Sequence, residues 1–99
     1  MLNYSNLRKG NVIKNNNGHT YDVLSTRKDR DGQQDLLLKD KKYGEIVVAK
    51  GWDCNSHDNE KIGSWNQGEY LGTLTKKELK IALRSFKKGK RKHFLSDDK

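Results

Sequence analysis

Cysteine occurs once in this 99-residue chain, at Cys54, so an internal disulfide is excluded. A lone thiol makes a reducing, cytoplasmic compartment the default expectation. Long apolar runs are missing as well. The longest are Leu36-Leu37-Leu38 and Ile46-Val47-Val48-Ala49, far short of the roughly 20 residues a membrane helix needs. The opening Met1 reads as an intact start, and the lack of an apolar stretch after it predicts no secretory leader. Neither G-x-x-x-x-G-K-[ST] nor G-x-G-x-x-G is present, so the sequence offers no phosphate-cradling loop.

Apolar material is scarce overall: 31% of residues are hydrophobic against 34% charged, with a mean hydropathy of −1.11. A chain of this length fits one small domain with a thin core. Hydrophobicity this low also occurs in disordered chains, but here the apolar residues are patterned. The patterning predicts one domain over residues 1–88 and a basic, then polar, tail over 89–99.

Positive charge is plentiful and concentrated in one place. The net charge is +8, from 21 Lys and Arg against 13 Asp and Glu. Residues 74–92 carry nine basic residues and one acidic residue, whereas residues 1–73 carry 11 and 10. Such asymmetry bears on partners rather than on fold.

The first ten residues read as polar and irregular. Asn17-Gly18 and Asp31-Gly32 each sit between apolar runs and favour the positive φ angles of tight hairpins. Gly44 marks a third turn. Ile46-Val47-Val48-Ala49 shows no alternation, which predicts a central strand covered on both faces. Residues 51–63 read as a polar loop, and residues 62–71 as one further strand interrupted at Asn66-Gln67-Gly68.

The strongest local signal is a helix over about 75–88. Thr75 and Glu78 have capping-box spacing, and Leu74 and Leu79 the spacing of a hydrophobic staple. Leu79, Ala82, Leu83 and Phe86 recur at i, i+3, i+4 and i+7. Gly89 is a natural stop. At about 100° per residue, Lys76, Lys77, Lys80, Arg84, Lys87 and Lys88 fall on one stripe beside the apolar face. Ile81 lands beside that stripe.

The basic helix and its extension through Lys90, Arg91 and Lys92 point to phosphate-backbone contact, because such side chains release counterions condensed on nucleic acid. The plainer alternative is a solvated face that keeps a small protein in solution. A membrane surface fits poorly, because the core needs the apolar face. Among the aromatics, Tyr21 and one tryptophan read as core filler, and Trp65 as the better candidate for stacking on an unpaired base. Cys54 and His57 supply only half of a zinc site, and their spacing in sequence is not that of a nucleophile and base that meet through a fold. The expectation is no metal, no cofactor and no catalytic residue.

Gly10-x-Val12 followed by Gly18-x-x-Tyr21-x-Val23 resembles the opening hairpin of SH3-like small barrels, including KOW and Tudor types. Those families bind nucleic acid or protein tails, and the resemblance covers about 15 residues. Trp65-x-x-Gly68-x-Tyr70, the helix ending at Phe86, and the Asn- and Lys-rich composition are similar to small accessory proteins encoded by phages and prophages of low-GC bacteria. That likeness implies an origin and assigns no residue a role.

The resulting expectation is an α+β fold. It comprises a curved antiparallel sheet or small SH3-like barrel of four to five strands, packed by one C-terminal amphipathic helix. The expected function is non-enzymatic association with nucleic acid in the cytoplasm, through Lys77, Lys80, Arg84, Lys87, Lys88, Lys90, Arg91, Lys92 and Trp65. The alternative is an inhibitor or adaptor that docks on an acidic surface of a host protein.

Overall fold

The computed structural model describes residues 7–28, 34–54, 62–65 and 67–88. The elements are β1 (Val12–Asn15), β2 (Thr20–Lys28), β3 (Gln34–Asp40), β4 (Ile46–Cys54), β5 (Ile62–Ser64), β6 (Gln67–Gly72) and α1 (Lys76–Lys87). The fold is α+β: a curled, half-barrel sheet with one C-terminal helix. The strand order is β3-β2-β1-β5-β4-β6, and β3 also pairs with β4.

Two expectations are corrected. The sheet has six strands rather than four to five, and it is mixed, because β1 pairs with β5 in parallel through Lys14↔Ile62 and Asn15↔Gly63. The extra strand arises where one strand was expected over residues 62–71. β5 pairs with the end of β4, at Asp53 and Cys54, and β6 pairs with its start, from Ile46 to Lys50. The two short strands thus share one edge of β4. That strand is longer than expected, running through Gly51 to Cys54 where a loop was predicted.

Local chemistry accounts for the turns. Gly18 sits at φ 92°, in the left-handed region a hairpin turn requires. The Asn15 side-chain oxygen accepts from the backbone N–H groups of Asn17 and His19, both at 3.0 Å. Asp40 supports the β3–β4 turn in the same way, accepting from Lys42 N at 2.7 Å and Tyr43 N at 2.9 Å. The Asp31-Gly32 turn lies outside the described residues.

The curled sheet buries side chains on both faces. Leu7, Ile13, Tyr21, Val23, Leu36, Leu38, Val47, Ala49 and Trp52 form the inner cluster, and Leu37, Ile46, Val48 and Phe86 the outer one beneath the helix. Successive residues of β3 and β4 therefore alternate between two apolar environments, which is why both strands read as continuous apolar runs. Residues 7–10 are irregular, as expected, yet Leu7 is tied into the core. It is buried, and its backbone N–H and C=O both bond the side chain of Gln34, at 2.7 and 2.9 Å.

Two irregularities set which side chains face which cluster. In β2, Val23 pairs with Leu38 and Ser25 with Leu37, leaving Leu24 as an extra residue. That bulge inverts the phase of the strand, so Arg27 shares a face with the helix, whereas Tyr21 and Val23 face inward. In β4, Ala49 pairs with Leu36 and Trp52 with Gln34, so three steps on β4 oppose two on β3. Gly51, at φ 75°, absorbs the difference, and Trp52 turns into the inner cluster beside Ala49.

Candidate nucleic-acid interface

The helix begins where its capping chemistry dictates. Thr75 Oγ1 accepts from the Glu78 N–H at 3.1 Å, and Thr75 N–H donates to Glu78 Oε1 at 2.9 Å. The capping box is complete. Leu74 and Leu79 both pack against the outer cluster, as the staple spacing anticipated. Glu78 is the one acidic residue in the helix, and it is turned back into the cap.

The docked face is rotated slightly from the expected one. Ala82, Ser85 and Phe86 are buried, whereas Leu79 and Leu83 are half-buried at its edge. Ser85 joins the buried set, on a helix whose main strand neighbour is β2. Ile81 is half-buried rather than free at the edge of the stripe.

Docking leaves the cations outward. Lys76, Lys77, Lys80, Arg84, Lys87 and Lys88 are all exposed. Among the described residues, none of the six has an acidic ion-pair partner. Lys87 Nζ donates to the Thr26 carbonyl at 3.1 Å, which anchors that ammonium where the helix meets β2. The end of β2 adds the exposed Lys28 to the same end of the patch. Lys90, Arg91 and Lys92 lie outside the described residues.

Trp65 sits elsewhere. It is half-buried against the inner cluster, on the face of the sheet opposite the helix. Its ring meets Tyr21 edge-on at 5.6 Å and lies 6.4 Å from Trp52. A Cβ on Gly68 would lie 2.8 Å from Trp65 Nε1, so the glycine makes room for the indole. Tyr21 and Trp52 are buried, as the core-filler reading required. Among the described residues, the Phe, Trp and Tyr side chains left most exposed are Tyr43 and Tyr70. Tyr70 pairs with Val47 of the inner cluster and so faces away from the helix. The alternation of Gly68 and Tyr70 on β6 was the available signal for that orientation.

A polar groove of about 530 Å³ lies between the β1–β2 and β3–β4 turns, lined by His19, Thr20, Asp40, Lys41 and Tyr43 among others. His19 Nδ1 is 3.4 Å from Asp40 Oδ2. Burial raises the Asp40 pKa, but the Tyr43 and Lys42 N–H groups and His19 outweigh it and hold the carboxyl below its ordinary value. Asp40 is thereby committed to its turn, and Lys41 is paired with Asp22 at 3.0 Å. Cys54 ends β4, and His57 lies outside the described residues. Among the described residues, no group of three or more His, Cys, Asp or Glu is placed to hold a metal ion, and no helix is long and apolar enough to cross a membrane.

In comparisons with protein families, curated proteins and solved structures, the chain matches none.

Proposed function

We propose that this is a small non-enzymatic protein that associates with nucleic acid in the cytoplasm, contacting the phosphate backbone through Lys77, Lys80, Arg84, Lys87 and Lys88. Lys90, Arg91 and Lys92 follow directly in the sequence and add three positive charges to the same reading. We read the curled sheet as a variant of the small SH3-like barrels and the protein as an accessory factor of phage type. One observation carries the reading: six exposed cations on one docked helix, without an acidic partner among the described residues. A face serving solubility alone is better made with both signs interspersed, and i, i+4 pairs of opposite charge would stabilise the helix further. This face forgoes both.

The half-buried Ile81 beside the stripe favours a second reading, a docking surface for an acidic protein. The reversal Lys80→Glu with Arg84→Glu separates the two. Loss of nucleic-acid binding at an unchanged melting temperature is the expected result, since exposed charges contribute little to stability. Retained nucleic-acid affinity, with loss of a single protein partner, would establish the second reading instead.

A further inference from the structure

We infer that the helix face takes double-stranded DNA, held by its phosphate backbone; this rests on the nucleic-acid reading above. Three observations carry it.

The first is what the stripe lacks. Its exposed side chains are all Lys or Arg, with no Asn, Gln or aromatic residue among them. Reading adenine calls for a bidentate amide, and gripping single strands calls for aromatic rings interleaved with the cations. The major groove of B-DNA, about 12 Å wide, admits a helix between its phosphates, whereas that of an RNA duplex is deep and narrow. The missing side chains together with that groove geometry favour the phosphate backbone of a DNA duplex.

The second is the separation of charge from aromatic surface. Trp65 and Tyr70 lie on the inner face of the sheet, and the helix covers the outer face. A single strand laid along the lysines therefore cannot place its bases on either ring.

The third is length. Lys77 to Lys88 spans roughly 16 Å at the helical rise. Duplex DNA presents about nine or ten phosphate charges over that distance. A duplex thus supplies more charge than the stripe can neutralise, wound about an axis that stays straight and stiff over the length of the helix.

The test is a fluorescence anisotropy titration of the full chain from 50 to 200 mM salt. The probes are two 20-base-pair DNA duplexes of unrelated sequence, one of their single strands, and an RNA duplex of matching sequence. Lys80→Gln with Arg84→Gln serves as the comparison protein. The two DNA duplexes should bind alike and more tightly than either other probe. The double variant should lower the salt slope on DNA duplex by about 1.8, which amounts to about tenfold less loss of affinity across that salt range. Tighter binding to the single strand or to the RNA duplex would overturn the duplex-DNA inference while leaving the nucleic-acid reading intact. So would a Tyr70→Ala variant that weakens binding. Failure to bind every probe at 50 mM salt would overturn both.

Discussion

The Arg27 guanidinium lies over the Phe86 ring, 4.6 Å from its centre, and also donates to the Phe86 carbonyl. One side chain of the sheet thus holds both the ring and the backbone of the last helical turn. Arg27 Nε donates in turn to Asp35 Oδ2 at 3.2 Å, and Asp35 Oδ1 accepts from the Gly51 N–H at 3.1 Å. A chain of polar contacts therefore runs from the β4 bulge to the helix that presents the lysines.

That chain makes Arg27 a structural cation rather than part of the binding stripe. Arg27→Gln should cost about 1.5–3 kcal/mol, the range for hydrogen bonds to charged groups, and leave Asp35 buried without its cation. Arg27→Lys should recover only part, because an ammonium cannot fork between two acceptors while lying over a ring. Thermal unfolding followed by circular dichroism measures both. A parental melting temperature for Arg27→Gln would show that the contact contributes nothing.

The rotation of the helix separates two residues that look equivalent on a helical wheel. Phe86 is fully buried and Leu83 only half-buried. Phe86→Ala should cost about 3–5 kcal/mol, and Leu83→Ala less than the ~2 kcal/mol at the low end for a buried leucine. Urea unfolding of the two variants checks the order, and a larger loss for Leu83 would contradict the docking.

Gly68 should resist any side chain, although its backbone does not demand glycine. An added Cβ would lie 2.8 Å from the Trp65 indole nitrogen, and a ring packed against Tyr21 cannot move aside cheaply. Gly68→Val should cost about 1–3 kcal/mol as an overpacked site and alter tryptophan emission. The emission change should vanish in a Trp65→Phe background.

Two of the described groups make stability depend on pH. The Asp40 carboxyl lies below its ordinary 3.8, so its contribution is present above about pH 4 and is lost as pH falls through the folded value. Asp40→Asn should remove that part of the acid limb. At the other end, burial first, and then Tyr70, Asp40 and Glu45, push the Tyr21 phenol up from 10.0 to about 12. Its neutral form therefore stabilises the fold fully below pH 10, and the contribution fades as pH rises through about 12. Ultraviolet titration of phenolate should show a late step that Tyr21→Phe removes.

The sequence by itself determined the features whose causes lie within a few residues of one another. The capping box joins residues three apart, and the turn at Gly18 needs one glycine and one asparagine side chain. The basic stripe follows from helical periodicity alone, and the two-faced burial of β4 from its unbroken apolar run. Tertiary structure decided whatever depends on partners far away in the chain. The bulges at Leu24 and Gly51 exist only relative to β3, yet they turn Arg27 toward the helix and Trp52 into the inner cluster. The parallel pairing of β1 with β5 joins segments about 50 residues apart, a closure that local propensity does not encode. The same pairings left Tyr70 exposed, drew Trp65 against the core, and set both rings on the face opposite the lysines.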